Sequence, residues 1–527
     1  MSSYKYEPRV ILKSHLTNHF TDHLIADLNK ENNQRQVVES MFSWVTPVKP
    51  SHPKLIHVSR EVQQELGFSQ GEVTSTKFLD FVTGNSVLKT SKPYAMCYGG
   101  HQFGHWAGQL GDGRAINLGE INGKTIQLKG AGPTPYSRNA DGFAVLRSSI
   151  REYLCSEAMH HLGVPTTRAL SLSLTGDLVM RDMMYDGNSA YEKGAITSRV
   201  ARSFLRFGNY EIFAARNDIK NLRRLVHYTI NTYFPALGKP SKEVYVRFFQ
   251  AITNSTLEMI IHWQRVGFVH GVMNTDNMSV LGLTIDYGPY GWLEGFDLDW
   301  TPNTTDRQHK RYRYGNQPNI GLWNLYQLAN ALYPLVEEAA PFEAILEDYK
   351  TCFKTKSQDM MRTKLGLQRS KKIDQDLIAQ LEDNLQASET DMTLFFRQLS
   401  FFKADAPVQG IQFVSEAFYR PEEIQGTLKE QWDLWFTRYA SRLKDENINY
   451  QQRRKRMNLV NPKYVLRNYM AQLAIDKAEK GDYSLIEEFY ELLKKPYDEQ
   501  PHSEQWFAKR PEWARHKVGC SVLSCSS

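Results

Sequence analysis

The chain has 527 residues, 41% of them hydrophobic and 23% charged, with a formal net charge of +6 at pH 7. This composition is ordinary for a globular protein, and the length predicts about two or three packed units. The sequence has no apolar run of about 18 residues, so no membrane span is predicted. The small positive charge is weak evidence for nucleic-acid binding. Residues 1–20 lack the apolar core of a signal peptide, so we expect a cytoplasmic protein. We further expect a monomer with no membrane or nucleic-acid partner.

The five cysteines are an odd number, widely spaced, and form no CxxC pair; they are Cys97, Cys155, Cys352, Cys520 and Cys525. This usage favours a reducing compartment over a disulfide framework. Cys525 lies close to the C-terminus, where a thiol is well placed for exchange reactions.

Residues 1–95 carry few chemical signals and are predicted to form an N-terminal extension packed on the next unit. Apolar spacing predicts helices over residues 22–29 and 59–66. Composition assigns no function to this extension.

Residues 98–114 are rich in glycine, which lets backbone amides approach phosphate oxygens. Such a cluster alone equally describes a flexible surface turn. Two short β-type runs follow, residues 114–118 and 124–129, joined through the hairpin signal Asn122-Gly123. Alternation along the second run places Lys129 opposite the apolar face, on the side that the glycine loop would cover.

Residues 145–162 have helical spacing and end before Gly163, with Glu152 in the middle. Taken singly, Lys129 and Glu152 would be ordinary surface residues. A glycine loop, a strand lysine and a helix glutamate in this order match the small lobe of a kinase fold, where the carboxylate holds the lysine against phosphates.

Asp141-Gly142 precedes this helix and is either a helix-entry turn or an additional nucleotide contact. After the helix, a second hairpin is predicted from residues 170–174 and 178–180 around Gly176-Asp177.

Arg199 and Arg206 are seven residues apart, so on a helix they would share a face, with Arg202 between them. A charged stripe is usually a solvated face. Near a phosphate site, guanidinium groups bind oxyanions in a bidentate manner.

The segment from His270 to Asn277 reads as a catalytic loop with one residue out of place. Kinase-like enzymes put an acidic base two residues after a histidine and a metal-binding asparagine five residues beyond that base. Here the base position is Val272, which cannot accept a proton, whereas Asn277 is a correct metal ligand. Asp286 stands where the second metal carboxylate belongs.

A long helix capped by Ser241 and running to residue 264 is predicted before this loop. Further helices are predicted over residues 320–331, 341–354 and 372–385. In the C-terminal part, Asn461 and Pro462 are predicted to open a helix that ends at Gly481. The basic run of residues 453–456 is interpreted as a solvated face rather than a nucleic-acid patch.

These patterns predict an α+β fold of the two-lobed protein-kinase type, with a small antiparallel-sheet lobe and a helical large lobe. The predicted units are an N-terminal extension (1–95), the small lobe (96–195), the large lobe (196–400) and a helical C-terminal region with a cysteine-containing tail (401–527).

From about residue 40 onward the sequence resembles the selenoprotein O family of kinase-like protein adenylyltransferases. The motifs that carry this resemblance are residues 111–114, 128–138, 147–152, 274–277 and 285–288. The resemblance implies transfer of AMP from ATP to Ser, Thr or Tyr hydroxyls of proteins, with release of pyrophosphate. Members of the family also use UTP, so UMP transfer is a second implied activity.

In that family ATP lies in a reversed orientation, which would explain the additional arginines. Carried over, the nucleotide contacts would be Gly111, Gly113, Arg114, Lys129, Asp141, Gly142, Arg199, Arg206 and Asp286. Glu152 would pair with Lys129, while Asn277 and Asp286 would hold Mg²⁺ or Mn²⁺.

The resemblance also implies that Asp276 accepts the proton, which replaces the base missing at Val272. An aspartate beside a divalent cation is expected to stay ionised and take a proton from an incoming hydroxyl. The alternative is that Asp276 is a third metal ligand. Cys525 would be the sulfur counterpart of the family's selenocysteine and a candidate redox switch, with Cys520 or Cys352 as its partner.

Three other functions remain open at this point. An ordinary phosphotransferase would need an acidic residue at position 272, and an inactive nucleotide-binding scaffold would be expected to lack the metal ligands. A thiol-redox protein would act through Cys525 without ATP.

Overall fold

The protein has a mixed α+β fold in which the predicted β-type runs pair into a sheet. The structure is a computed structural model and describes residues 16–520 and 522–524. The strands are β1 (Phe42–Trp44), β2 (Lys54–Val58), β3 (Tyr94–Met96), β4 (Gly99–Gln102), β5 (His105–Gln109), β6 (Ala115–Ile121), β7 (Lys124–Lys129), β8 (Ala144–Val145), β9 (Arg168–Arg181), β10 (Ala190–Ala201), β11 (Phe268–Val269) and β12 (Gly291–Trp292).

The helices follow mostly after the sheet. They are α1 (His19–His23), α2 (Arg60–Leu66), α3 (Gln70–Val73), α4 (Thr76–Thr83), α5 (Leu146–His161), α6 (Gly208–Ala215), α7 (Ile219–Tyr233), α8 (Lys242–Val266), α9 (Gln317–Val336), α10 (Ala340–Lys364), α11 (Asp374–Ala387), α12 (Met392–Leu399), α13 (Gly410–Phe413), α14 (Gly426–Lys444), α15 (Tyr450–Asn458), α16 (Asn468–Ala478) and α17 (Ser484–Leu493). None of these helices combines the length and the apolar composition that a bilayer span requires.

The main sheet has the strand order β1-β3-β6-β7-β10-β9-β2, with β8 pairing on β10. All of its pairings are antiparallel. The predicted hairpin through Asn122-Gly123 is confirmed as β6–β7. β4 and β5 form a separate two-stranded hairpin, and β11 pairs with β12.

The two faces of the sheet have different roles because side chains alternate along each strand. Ile126 and Leu128 of β7 lie in one buried apolar cluster with Phe78 and Phe81 of α4. Lys129 belongs to the opposite face, as predicted, and α5 packs across β9 and β10. The helix predicted around Glu152 is therefore confirmed and sits close to the strand that carries Lys129.

The long helix before the catalytic loop is also confirmed. The Ser241 hydroxyl accepts a hydrogen bond from the Val244 amide, and Gly267 ends α8 in a left-handed conformation with φ of 73°. The helices predicted over residues 320–331, 341–354 and 372–385 lie within α9, α10 and, for the greater part, α11.

Several local predictions were wrong. The hairpin around Gly176-Asp177 does not form, because β9 runs continuously to Arg181 and pairs with β10. The predicted helix over residues 22–29 is replaced by the short α1, which ends at His23. In the C-terminal part, α16 begins at Asn468, whereas the Asn461 side chain donates to the Lys364 carbonyl at 2.9 Å. Arg453 of the basic run is 3% exposed, so that run is not a fully solvated face.

Two predicted unit boundaries coincide with strands of the main sheet. The boundary between residues 95 and 96 falls within β3, and the boundary between residues 195 and 196 falls within β10. Residues 1–95 therefore contribute strands to the sheet rather than only packing against it.

The C-terminal helices dock on the segment that follows the catalytic loop through a buried ion pair. Asp391 and Arg467 are bonded in a bidentate manner at 2.6 and 2.9 Å. Asp391 also caps α12 by accepting from the Leu394 amide, and the Met392 amide donates to the Glu294 carbonyl. This contact fixes β12 and the loops around it against the rest of the protein.

We expect Asp391→Ala to destabilise the protein by about 3–5 kcal/mol, because it leaves the Arg467 guanidinium buried without its counter-charge. The matched control is Asp433→Ala on α14, whose carboxylate pairs with Lys429 on the surface and is 37% exposed. We expect the control to change stability by less than about 0.5 kcal/mol. Urea unfolding of both variants measures the difference, and equal losses would contradict a structural role for the buried pair.

Candidate active site

A cavity of about 690 Å³ lies between the main sheet and the loops around Asn277 and Asp286. Its walls include every residue predicted to contact nucleotide, metal or the transferred proton; these are Gly111, Gly113, Arg114, Lys129, Asp141, Gly142, Arg199, Arg206, Asp276, Asn277 and Asp286. Glu152 lies behind Lys129. The fold thus brings together residues that are spread over more than a third of the chain.

A chain of charged groups crosses the floor of this cavity. Lys129 Nζ lies 2.7 Å from Glu152 Oε2, and Glu152 Oε1 accepts from Arg199 Nη1 at 2.9 Å. Arg199 Nη1 also donates to Asp286 Oδ1 at 2.6 Å, while Arg206 Nη1 donates to Asp286 Oδ2. Glu152 and Asp286 therefore share three cations between them.

Arg199 reaches this site from the strand β10, so the shared helix face considered for Arg199 and Arg206 does not apply. In the register of β7 and β10, Arg199 is the partner of Gln127 and Thr197 is the partner of Lys129. Cross-strand partners lie on the same face of a sheet, so Arg199 and Lys129 face the same side. Arg206 follows in the loop before α6.

Arg202, the third arginine of that stretch, takes no part in the site. It is exposed, and its guanidinium carbon lies 5.9 Å from the centre of the Tyr233 ring. Of the three arginines in this stretch, Arg199 and Arg206 therefore line the cavity and Arg202 does not.

The ionisation of Asp286 follows from its surroundings. Burial raises the pKa of this carboxyl, but the charges of Arg206, Arg199 and Lys129 outweigh burial and hold the pKa well below its usual value. Lys129 and Arg199 likewise hold the pKa of Glu152 below its usual value despite burial. Both carboxylates are ionised at neutral pH.

Asp276 is in a different state. It lies in a 3₁₀ turn (Thr275–Asn277), and burial raises its pKa to about 7 against the opposing charge of Arg206. Its Oδ2 accepts from Gln102 Nε2 at 3.3 Å, whereas no described residue donates to Oδ1. A divalent cation beside Asp276, which the expectation of an ionised carboxylate assumes, would oppose this effect of burial.

The β4–β5 hairpin covers the catalytic loop. The His101 amide donates to Thr275 Oγ1 at 2.7 Å, and the Phe103 amide donates to Asn274 Oδ1 at 3.2 Å. A Cβ atom at Gly100 would lie 2.9 Å from Asp276 Oδ1, so only glycine allows this approach. Part of the glycine-rich stretch thus packs over Asp276. The sequence had led us to expect the stretch to cover Lys129.

Gly111 and Gly113 do lie at the cavity wall. Gly111 has a φ of +111°, and a Cβ atom there would overlap the Tyr136 ring. Asp141 at the cavity rim is held by two bonds from Arg181, at 2.7 and 2.8 Å.

The donor set suits a hard divalent cation. Asn277 Nδ2 donates to the Val272 carbonyl at 2.9 Å, and no described residue donates to Asn277 Oδ1. Carboxylate and amide oxygens are the ligands that Mg²⁺ and Mn²⁺ prefer, and Mg²⁺ commonly uses only one or two carboxylates plus phosphates. Because both oxygens of Asp286 already accept from arginines, a cation there would share this carboxylate with them or displace one of them.

His270 ties the catalytic and metal loops together. Its Nε2–H donates to the Ile285 carbonyl at 2.9 Å, and burial lowers its pKa, so the ring is neutral. This bond places the start of the catalytic loop next to the turn that carries Asp286.

Sequence reasoning missed several residues of the site. Asp112 is buried, and its Oδ1 lies 3.8 Å from Arg206 Nη2; its position between Gly111 and Gly113 was the available signal. Gln127 accepts from Arg199 and shares the strand face of Lys129, so alternation indicated it. Tyr98, whose ring centre lies 4.6 Å from the Arg206 guanidinium carbon, and Gln102 gave no comparable signal.

Cys525 lies outside the described residues, so its redox role stays a prediction. Of its two candidate partners, Cys352 is exposed, whereas Cys520 is buried and burial raises its pKa to about 11. The nearby residue Leu523 accepts a hydrogen bond from the Thr304 amide at 2.8 Å, so this part of the tail lies against the loop after Asp286.

Known proteins with similar sequences identify the family of this chain. Residues 25–495 match the family model described as "Protein adenylyltransferase SelO". The chain is 59% identical over 517 residues to the "Protein nucleotidyltransferase YdiU" of Flavobacterium johnsoniae, covering 97% of this chain and 99% of the relative. It is 53% identical to the protein of the same name from Rhodopirellula baltica, covering 97% and 98%. The chain therefore belongs to the protein adenylyltransferase SelO family.

Proposed function

We propose that the protein is a two-lobed, kinase-like enzyme that transfers AMP from ATP to Ser, Thr or Tyr hydroxyls of proteins and releases pyrophosphate. UMP transfer from UTP is the second activity that the family resemblance implies. The observation that carries the proposal is the placement of Arg199 and Arg206 on Asp286, beside the Lys129–Glu152 pair. A γ-phosphate transferase needs the lysine pair but not two buried arginines in the floor of its site.

The protein groups divide the work as follows. Lys129, Arg199 and Arg206 present cationic donors to the triphosphate, and guanidinium groups bind phosphate oxygens in a bidentate manner. Glu152 and Asp286 orient these donors before the nucleotide arrives. We propose that this arrangement directs the α-phosphorus toward Asp276.

Asp276 then accepts the proton of the incoming hydroxyl. Its buried position makes it a stronger base than an exposed aspartate once it is ionised. Asn277 and Asp286 would hold Mg²⁺ or Mn²⁺, which supplies positive charge against the α-phosphate and favours the ionised form of Asp276.

Parallel reactions with α-labelled and γ-labelled ATP test the proposal. We expect protein-bound label only from the α-labelled nucleotide, because the β- and γ-phosphates leave together as pyrophosphate. Label retained only from the γ position would establish an ordinary kinase, and label from neither would favour an inactive nucleotide-binding scaffold.

We expect Asp276→Asn to lower the maximal transfer rate at least about a hundredfold, because the amide cannot accept the proton. ATP binding, measured by thermal shift, should persist. The control Asp433→Asn makes the same change on the surface of α14 and should retain full activity. If Asp276→Asn instead mainly raises the metal concentration needed for half-maximal rate, Asp276 is a metal ligand rather than the proton acceptor.

Arg206→Gln and Arg202→Gln form a matched pair within one short segment. We expect Arg206→Gln to raise the KM for ATP about tenfold or more, since a charge-assisted bond to phosphate is worth about 1.5–3 kcal/mol. Arg202→Gln, which removes an exposed arginine, should leave KM unchanged. Steady-state kinetics with both variants measure this, and equal KM values would contradict phosphate binding by Arg206.

A further inference from the structure

A second surface meets the catalytic loop at Asn274, two residues before Asp276. Asn274 Oδ1 accepts from the Tyr312 hydroxyl at 2.6 Å and from the Phe103 amide at 3.2 Å. The tip of the β4–β5 hairpin and the segment of residues 307–313 therefore converge on the loop that carries the proposed base. We call the hairpin tip (residues 101–107), Trp323 and residues 307–313 the acceptor surface.

This surface is continuous with the cavity. Gln102 lines the cavity and donates to Asp276, and the next two residues of the hairpin touch the basic segment. Phe103 lies against Tyr312, with ring centres 5.3 Å apart, and a Cβ atom at Gly104 would lie 3.4 Å from Arg311 Cζ. A peptide bound to this surface would thus place its side chains close to Asp276.

Aromatic rings form one part of the surface. The His101 ring centre lies 5.2 Å from that of Trp106 and 5.5 Å from that of Trp323. The Arg311 guanidinium carbon lies 4.6 Å from the Trp323 ring centre. Trp106 is 38% exposed, although it is a large aromatic residue in a short hairpin. A partly exposed aromatic cluster beside an arginine is typical of surfaces that bind other proteins.

Positive charge forms the other part, although the Arg311 charge also acts on the carboxyl of Asp306. Arg307 and Lys310 are exposed, and within residues 16–520 neither they nor Arg311 pairs with a carboxylate. The nearby Asp306 is buried and accepts from the backbone amides of Arg311 and Tyr312, at 2.9 and 2.7 Å. Arg313, by contrast, is paired with Asp299 at 2.9 Å.

We propose that the acceptor surface binds an acidic segment of the substrate protein and delivers a hydroxyl side chain from that segment to Asp276. The inference rests on the proposed function and adds the chemical character of the acceptor. Arg307, Lys310 and Arg311 place three positive charges within five successive positions, which suits pairing with the carboxylates of a short acidic peptide. A nucleic acid, with one charge per about 1.7 Å of duplex, would need a longer basic tract.

Two synthetic fluorescent peptides test this inference. Both carry one central serine; one has Asp and Glu on each side, and the other has Asn and Gln at the same positions. We expect the wild-type enzyme to bind the acidic peptide about tenfold more tightly by fluorescence anisotropy, with an affinity that falls as salt is raised. With α-labelled ATP, the acidic peptide should also be modified faster.

The variant Arg307→Glu/Lys310→Glu should lose this preference, because two attractive charges become repulsive. Its control is Lys354→Glu/Lys372→Glu, which makes the same charge change at exposed positions before and within other helices. We expect the control to keep the preference, and both variants to keep the thermal shift caused by ATP.

The outcomes separate the two proposals. Binding of the acidic peptide without transfer of label would refute the adenylyl transfer and leave the surface intact. Equal binding of both peptides, with label transferred to each, would overturn the acidic-acceptor inference alone. Displacement of the acidic peptide by a single-stranded oligonucleotide that binds more tightly would overturn it as well, in favour of a nucleic-acid surface.

Discussion

The site depends on one buried carboxylate that must balance several cations. Asp286 accepts from Arg199 and Arg206, and Lys129 Nζ, which pairs with Glu152, lies 3.9 Å from Asp286 Oδ1. Removing any one partner from such a group leaves an uncompensated charge, which costs several kcal/mol in a buried setting. The strand that carries Arg199, the loop that carries Arg206 and the turn that carries Asp286 are therefore held in one relative arrangement. The same arrangement presents cationic donors to the cavity before any nucleotide is bound.

The catalytic loop is held from its other side by main-chain contacts. The hairpin of β4 and β5 donates two backbone amides to the side chains of Thr275 and Asn274, and Gly100 lies directly on Asp276. Burial under this cover is the physical reason that the pKa of Asp276 rises to about 7. At position 272, where a kinase has its base, the valine carbonyl accepts from Asn277 and so orients its side-chain amide. In the proposed mechanism the acidic group is displaced along the loop to Asp276.

The charged floor and the hairpin cover also give the cavity two chemically distinct approaches. On the sheet side the groups are cationic and buried, which suits phosphate oxygens. On the hairpin side the groups are aromatic and cationic, and Trp106, Arg307 and Lys310 among them are exposed, which suits a second macromolecule. The description of the SelO family as protein adenylyltransferases agrees with a site that receives both a nucleotide and a protein.

The sequence by itself determined the order of Lys129 and Glu152, the β6–β7 hairpin, the helix α5 and the capped helix α8, because each depends on local turn, capping or periodicity signals. It also placed Asn277 and Asp286 correctly relative to His270, since loop spacing is a local property. Tertiary structure alone decided that Arg199 lies on a strand, because a seven-residue spacing fits a helix equally well until β7 offers a partner. It likewise made β9 continue past Gly176-Asp177, where the local turn signal becomes an irregularity in the pairing with β10 rather than a hairpin. The pKa of Asp276 was beyond any local pattern, because burial by a hairpin more than a hundred residues away in the chain causes it.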